Sequence, residues 1–454
     1  REIRKESDFR KFLPIVDYEG LHSYIQRSMY GEKDVLWPGY TRWFAKSSGT
    51  TSNQSKFIPV TKDNLRNCHI KGNWDALALY YNNRPDARIF ECKSLIMGGS
   101  LSHFEPYPTT RYGDISAIMI HQMPNVGKPF RTPDLETALM SEWEEKIERM
   151  ARITASEKNL VMIGGVPTWT VVLIRRIMEM TGAKDMSEVW PNLQVYFHGG
   201  VSFSPYQDLF ANYFPQGIDY MEIYNATEGY FGIKDTLGRD DMLLLLDNGI
   251  YYEFLPMEEW SKPHPQAIPL EDVKRDVNYA MVISTNAGLW RYMPGDSIMF
   301  TDTQPYRFKI TGRTKQFINS FGEEVMVSNT DHAIVATCKA TGAMVAEYTV
   351  APCYFDLAGK GRHEWLIEFE KPPENLLAFE RLLDLNLQAV NSDYQAKRYR
   401  DMAMSNLTIQ SLKPGSFIQW MRSRGKFGGQ NKVPRLANHR QFVDSILEFA
   451  QINS

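Results

Sequence analysis

Lys46-Ser47-Ser48-Gly49-Thr50-Thr51-Ser52-Asn53-Gln54-Ser55-Lys56 puts six hydroxyl side chains into nine residues, with a glycine among them and a lysine at each end. Hydroxyls and backbone N–H groups in such a loop are donors for phosphate oxygens, and Gly49 lets the backbone approach a ligand closely. The Walker pattern GxxxxGK[ST] is absent. Composition alone also suits a Ser/Thr-rich surface loop. The flanking sequence bears on the choice. Phe57-Ile58-Pro59-Val60 reads as a strand, and Thr61 as the cap of a helix running to about Asn82 and stopped by Pro85. That puts the loop at an element boundary, where phosphate-binding loops sit.

Working outward, helix and strand signals alternate. Pro133 opens a second long helix in which Leu135, Leu139, Trp143, Ile147 and Met150 recur at helical spacing. Glu145/Arg149 and Glu148/Arg152 form i,i+4 pairs on its wet side. Short strands follow, each ending in a polar or glycine-rich loop. Leu193 to Phe197 leads into His198-Gly199-Gly200, and Asp219 to Tyr224 into Asn225-Ala226-Thr227-Glu228-Gly229. Further strands are expected at Ile250–Leu255, Asn278–Thr285, Ser297–Thr301 and Phe308–Thr311. The pattern predicts α/β layering, with ligands in loops beyond strand ends. After Gly312 come one helical stretch, strands at Ala343–Val350 and Glu364–Phe369, and amphipathic helices at Glu374–Val390 and His439–Ala450. We expect a large mixed α/β domain over 1–312 and a smaller α+β domain over 313–454, hinged at Gly312-Arg313-Thr314-Lys315.

Composition narrows the function. Of 454 residues, 51 are Lys or Arg and 54 Asp or Glu, a formal charge of −3. A nucleic-acid binder would show a basic surplus. The C-terminal region is locally basic (Lys397, Arg398, Arg422, Lys426, Lys432, Arg435), which suits either a solvated face or a basic wall over a nucleotide. The four cysteines (Cys68, Cys92, Cys338, Cys353) form no CxxC pair, and reduced thiols in a cytoplasmic protein are expected. The most apolar window, Leu160 to Ile174, contains Gly164, Gly165 and Pro167 and is shorter than the ~20 residues of a membrane helix. The charged Arg1-Glu2-Ile3-Arg4-Lys5 holds no apolar signal region.

Four more stretches carry chemistry. In Tyr224-Asn225-Ala226-Thr227-Glu228-Gly229, an aromatic face could stack on adenine, a hydroxyl could bind an α-phosphate, and a carboxylate could hold Mg²⁺. An ordinary strand-to-turn sequence has the same look. In Trp290-Arg291-Tyr292-Met293-Pro294-Gly295-Asp296 the Pro-Gly turn projects a carboxylate suited to ribose hydroxyls, or simply to solvent. Arg313, in Thr311-Gly312-Arg313-Thr314-Lys315, could reach ribose or phosphate as a fork donor. Lys432, in Gln430-Asn431-Lys432-Val433-Pro434-Arg435, could stabilise charge developing on a phosphate.

In this order the pieces resemble the acyl-adenylate-forming superfamily that includes firefly luciferase. The closer likeness is to the plant auxin- and jasmonate-conjugating acyl acid–amido synthetases, the Gretchen Hagen family. It is carried by Phe44-Ala45-Lys46-Ser47-Ser48-Gly49-Thr50-Thr51 with Ser55-Lys56-Phe57-Ile58-Pro59-Val60-Thr61. Ala226-Thr227-Glu228-Gly229, Tyr292 with Pro294-Gly295-Asp296, Asn391-Ser392-Asp393-Tyr394 with Lys397-Arg398, and Lys432-Val433-Pro434-Arg435 add to it. The likeness runs from about Pro14 to Arg435. Gln316 stands where superfamily members commonly have Asp, and Met293 where relatives usually have Arg.

The resemblance implies ATP-dependent activation of a carboxylic acid as its acyl-adenylate, with AMP released on transfer to an amine, an amino acid in that family. Ser47, Ser48, Gly49, Thr50 and Thr51 would hold the ATP phosphates. Tyr224 would pack near adenine, with Asn225 and the Gly199 loop beside the nucleotide. Thr227 would contact the α-phosphate, Glu228 would bind Mg²⁺, Asp296 would hold the ribose, and Arg313 would sit near hinge and nucleotide. Lys432 would be a catalytic lysine delivered by a mobile C-terminal domain. The acid pocket is expected within Ser102–Ser116 and Met162–Ile174, with Tyr112, Val166 and Trp169 as candidates, although aromatics there suit core packing equally well. Partners are then small-molecule acids and amines, with neither nucleic acid nor membrane. An acyl-CoA ligase and a degenerate adenylate-binding protein are the alternatives.

Overall fold

The computed structural model describes residues 5–47, 56–200, 203, 206–260, 262–314, 317–318, 320–321, 323, 325–353, 361–398, 404–425 and 432–452. The chain forms two compact units. Arg1–Val201 with Ala211–Lys309 makes the first, and Ser202–Phe210 with Ile310–Ser454 the second. The mixed α/β class expected from alternating signals is the one found.

In chain order the strands of the first unit are β1 (Trp43–Ser47), β2 (Lys56–Val60), β3 (Lys93–Ile96), β4 (Leu101–His103), β5 (Arg111–Gly113) and β6 (Arg131–Thr132). Then come β7 (Leu160–Gly165), β8 (Val195–His198), β9 (Asp219–Asn225), β10 (Tyr230–Ile233), β11 (Met242–Leu244) and β12 (Ile250–Pro256). The last are β13 (Ile268–Pro269), β14 (Asn278–Thr285), β15 (Asp296–Thr303) and β16 (Tyr306–Arg313), in which the chain passes to the second unit. Among the described residues they build a four-stranded sheet, β2-β1-β5-β4, and a twelve-stranded sheet, β13-β12-β14-β15-β16-β11-β10-β9-β8-β7-β3-β6.

The long sheet changes character at β9. From β6 to β9 all pairings are parallel. From β9 through β10 and β11 to β16 they are antiparallel. Parallel strands are covered on both faces, so they read as unbroken apolar runs. Leu160-Val161-Met162-Ile163 and Val195-Tyr196-Phe197 are such runs, and all seven residues are buried. The loops after β3, β7, β8 and β9 therefore lie at carboxyl ends of parallel strands, the ligand-binding edge of open α/β sheets.

The expected helices are present with one change. Thr61 Oγ1 accepts from Asn64 N at 3.0 Å, and the helical stretch it caps runs from Lys62 to Asn83. The single helix expected after Pro133 is instead two, Leu135–Leu139 and Trp143–Ala155. Extended backbone at Met140 (φ −55°, ψ 140°) and Glu142 (φ −73°, ψ 102°) separates them. The break turns the Met140 carbonyl to the buried Lys146 ammonium, 3.5 Å away. The second helix buries Ile147, Met150 and Ala151 and keeps Arg149–Glu145 (2.7 Å) and Arg152–Glu148 (3.7 Å) on its wet side. No helix among the described residues is long and apolar enough to cross a membrane.

The second unit holds β17 (Phe317–Ile318), β18 (Val325–Met326), β19 (Met344–Cys353), β20 (Arg362–Lys371) and β21 (Thr408–Leu412). β19 and β20 pair antiparallel, and β21 adds parallel to β20. Helices Val327–Thr341 and Leu376–Val390 pack on this sheet through Ala333, Ile334, Phe379, Leu383 and Leu387 around Tyr348 and Trp365.

Candidate active site

The turn between β9 and β10 is short and tightly closed. Asn225 and Tyr230 face each other at its base, and Ala226 N donates to Gly229 O at 2.9 Å. Thr227 and Glu228 form its tip, and both are buried. Thr227 Oγ1 donates to Glu228 Oε2 at 2.5 Å, and the Tyr292 phenol lies 3.4 Å from Glu228 Oε1. Tyr224 OH donates to Asp296 Oδ2 at 2.6 Å. The ring of Tyr224 is held edge-on by Phe231 at 4.9 Å and lies 6.1 Å from Phe308. Two hydrogen-bonded groups result, Tyr224 with Asp296 and Thr227 with Glu228 and Tyr292, their members spread over more than seventy positions of sequence. Tyr292 was not among the expected site residues, although it lies inside one of the motifs.

Backbone geometry explains the placing of Asp296. Gly295 has φ +94°, a conformation glycine adopts without a Cβ penalty, and it swings the chain into β15. Arg291 adopts φ +45°, which strains a non-glycine residue. It is held there by a buried double contact to Glu253, Nε–Oε2 at 2.9 Å and Nη2–Oε1 at 3.0 Å. Its other nitrogen donates to the carbonyls of Arg10 (2.8 Å) and Leu13 (2.5 Å), and its N–H to Ser284 Oγ (2.9 Å). Gly199, after β8, passes so close to β9 that a Cβ there would lie 2.2 Å from Ile223 O. Asn225 Oδ1 is 3.0 Å from Nδ1 of His69, a fully buried imidazole pushed down to about 4 by desolvation.

Pairing Ser47 with Lys56 makes β1 and β2 a hairpin closed by the hydroxyl-rich loop. Ser47 ends β1, while Ser48, Gly49, Thr50 and Thr51 lie outside the described residues. Tyr18 supports the hairpin, its phenol accepting from Phe57 N at 3.0 Å. Tyr112 on β5 stands beside Phe44, with the Lys46 ammonium 5.9 Å from its ring. Val166 precedes the helix Pro167–Thr181, and Trp169 in that helix meets Trp143 edge-on at 4.4 Å. Tyr112 and Trp169 are therefore packed by different neighbours. The Met97–Ser100 loop after β3 is gripped from two sides. Lys146 Nζ donates to the carbonyls of Gly98 (2.5 Å) and Gly99 (2.9 Å), and Asp114 Oδ2 accepts from Ser100 N (3.0 Å). Burial pushes Lys146 down to about 8 and raises Asp114.

Arg313 and Lys432 belong to the second unit. Arg313 ends β16. Lys432 begins a segment clamped along β19, where Thr349 Oγ1 donates to Pro434 O at 2.6 Å and Val350 N to Arg435 O at 2.8 Å. Arg435 is ion-paired with Glu347 and lies over the Tyr348 ring at 4.3 Å.

Among the described residues no three His, Cys, Asp or Glu side chains cluster to hold a metal by themselves. A single buried carboxylate, Glu228, suits Mg²⁺, which is usually bound through one or two carboxylates and substrate phosphates.

The sequence matches the GH3 family N-terminal domain over residues 1–98 and 101–218, the central domain over 243–313, and the C-terminal domain over 328–441. It is 24% identical to the indole-3-acetic acid-amido synthetase GH3.8 of Oryza sativa subsp. indica, over 96% of this chain and 84% of that protein. It is 22% identical to the 4-substituted benzoates-glutamate ligase GH3.12 of Arabidopsis thaliana, over 94% and 87%. Its fold is similar to that of the AtGH3.15 acyl acid amido synthetase in complex with 2,4-DB (TM-score 0.79, 17% identity, 98% of this chain and 88% of that one). It is also similar to 2-hydroxyisobutyryl-CoA ligase in the postadenylation state (TM-score 0.61, 13% identity, 99% and 85%). On an acyl-adenylate-forming fold and with matches to all three family domains, the chain belongs to the GH3 (Gretchen Hagen) family.

Proposed function

We propose that the chain is an ATP-dependent acid–amino acid ligase. A carboxylate oxygen of the acid attacks the α-phosphorus of ATP and pyrophosphate leaves. The amine nitrogen then attacks the carbonyl carbon of the acyl-adenylate, loses a proton, and AMP leaves. The observation that carries this reading is the pairing of Tyr224 with Asp296, and of Thr227 with Glu228, by side chains from the end of β9, the turn after it and the start of β15. These residues offer an aromatic face, a hydroxyl and two carboxylates, the groups that adenine, α-phosphate, cation and ribose need.

We assign Asp296 to the ribose, Tyr224 to the adenine side and Thr227 to the α-phosphate. The β1–β2 hairpin loop, with Gly199 and Asn225, would line the phosphates. Mg²⁺ held by Glu228 would neutralise phosphate charge as the acid's anion approaches. Arg313 and Lys432 would come from a domain beginning near residue 313 that moves between the two half-reactions, Lys432 acting in adenylation. Tyr112, Val166 and Trp169 would border a pocket for an apolar or aromatic acid, in keeping with the acids named for the relatives. All four cysteines are free, which supports a reducing cytoplasm.

The test supplies ATP, Mg²⁺ and a panel of aryl and aliphatic acids, and measures pyrophosphate release. Active acids are then offered an amino-acid pool or CoA, and products are weighed. An amide is expected. A thioester instead would assign the chain to CoA ligation, a chemistry performed on the same fold. Binding of ATP with no AMP formed from any acid would sink the ligase reading.

A further inference from the structure

We propose that His69 is a positioning residue for adenylate formation. With Cys68 it holds the two facing strands of the Asn225–Tyr230 hairpin and so sets where Thr227 and Glu228 stand. The inference rests on the nucleotide site proposed above.

The helical stretch after Thr61 is interrupted. Leu65–Ile70 is wound as a π-helix, with α-helix on both sides. Such insertions are uncommon and recur at functional sites, because they redirect side chains that a regular helix would aim elsewhere. Here two consecutive residues reach the two facing strands of one hairpin. Cys68 Sγ accepts from Tyr230 N at 3.2 Å, and His69 Nδ1 meets Asn225 Oδ1 at 3.0 Å. Asn225 and Tyr230 are the pair that closes the hairpin's base.

The grip extends along the helix. A Cβ on Gly72 would lie 2.4 Å from the Tyr230 ring, so the helix runs hard against β10. Lys71 Nζ donates to Asn248 Oδ1 at 3.4 Å, and Asn248 Nδ2 donates to Tyr230 O at 3.0 Å. The same helix starts at Thr61, directly after β2 of the hydroxyl-rich hairpin. One helical stretch therefore joins that hairpin, through the chain, to the base of the Asn225–Tyr230 hairpin, through side chains.

The chemistry of His69 argues that the bond is kept for the site and not for the core. The Asn225 carbonyl oxygen needs a donor, which neutral imidazole supplies from Nδ1. Burial keeps the ring neutral. Its Nε2 is buried and has no hydrogen-bond partner among the described residues. A half-satisfied imidazole in a fully buried position stabilises the fold less than an apolar side chain of similar volume. The other contact of the Asn225 amide, Nδ2 to Met119 Sδ at 3.3 Å, is to a weak acceptor. His69 is thus its firm partner.

The test compares His69→Leu, which fills the space without a donor, with His69→Gln, which keeps an N–H donor. Calorimetry measures ATP binding with Mg²⁺ and with EDTA, and pyrophosphate exchange and the unfolding midpoint are followed alongside. His69→Leu should fold and bind ATP in EDTA as the parent does. It should lose about tenfold of the affinity that Mg²⁺ adds, and exchange should fall at least tenfold. His69→Gln should recover most of both. A folded His69→Leu with the full Mg²⁺ gain, or a His69→Gln no better than Leu, overturns the inference. Should His69→Leu not fold, Asn225→Ala removes the same bond from the other side, and an intact Mg²⁺ gain there overturns it too. A parent protein showing no Mg²⁺-dependent ATP binding would instead sink the nucleotide-site reading itself.

Discussion

The phenol of Tyr224 donates to Asp296 Oδ2 at 2.6 Å, tying the end of β9 to the first residue of β15. Three strands, β10, β11 and β16, lie between those two in the sheet, so the bond crosses what the ladder leaves apart. It aims the carboxylate assigned to ribose before any nucleotide arrives. Tyr224→Phe keeps the ring among Phe231 and Phe308 and removes only the donor. We expect KM for ATP to rise about five- to tenfold with kcat within about twofold, the worth of one hydrogen bond at ~1 kcal/mol. Pyrophosphate exchange at varied ATP checks it, and an unchanged KM would remove the clamp from the account.

Glu228→Ala should largely abolish acid-dependent ATP–pyrophosphate exchange, by at least about a hundredfold, while the protein stays folded. Glu228 is buried at a hairpin tip, where its carboxylate accepts from the Thr227 hydroxyl. A folded variant with near-normal exchange would contradict the assignment of Mg²⁺ to this residue.

Lys432→Ala should act on the first half-reaction. Exchange should fall about a hundredfold, while transfer of the acyl group from a supplied acyl-adenylate to the amine stays within about threefold. The neighbouring Arg435 and Pro434 hold the segment to β19 whatever occupies position 432, so folding should be unaffected. Equal losses in both half-reactions would show that the lysine has another task.

Glu253 and Arg291 form an ion pair in which both side chains are at most 6% exposed. Glu253→Leu leaves a guanidinium buried and uncompensated and should cost about 3–5 kcal/mol in urea unfolding. Combining it with Arg291→Met should cost less than the sum of the single changes, because neither charge is then stranded. Additive losses would mean that the two side chains act through separate neighbours.

Two fully buried imidazoles give a pH signature. Desolvation pushes His69 to about 4 and, with help from the charge of Lys234, His198 to about 3, against 6.5 in an unfolded chain. The unfolded state therefore binds more protons below about pH 6.5, and stability present at neutral pH is lost as pH falls towards 4. Each histidine contributes a slope of up to ~1.4 kcal/mol per pH unit. Urea unfolding between pH 7.5 and 4.5 should be visibly less steep in pH for His69→Leu than for the parent, and parallel curves would refute this.

Much of the fold was legible locally. Strand Asn278–Thr285 has the bounds its apolar run suggests, and Thr61 caps its helix because a hydroxyl just before a helical stretch can accept from a free N–H of the first turn. The order of the motifs along the chain was enough to name the family. Composition and spacing act over a few residues, so they locate strands, caps and polar loops at strand ends. They fail where a distant partner decides. The break at Met140 accompanies a buried Lys146 whose ammonium reaches the carbonyls of Gly98 and Gly99, and β21 at Thr408–Leu412 becomes a strand by pairing with β20.

What the sequence by itself determined is the set of chemical groups and the strand ends that present them. What only the tertiary structure decided is how those groups are held. His69 reads as one polar residue in a helix until Asn225, 156 positions away, is placed against it. The buried pairing of Arg291 with Glu253 joins residues 38 positions apart. Tyr224 and Asp296 become a pair only because β9 and β15 enter one sheet in a fixed order. A buried hydrogen bond depends on distance in space and on the water its partners exclude, and neither is written in the spacing of residues along a chain.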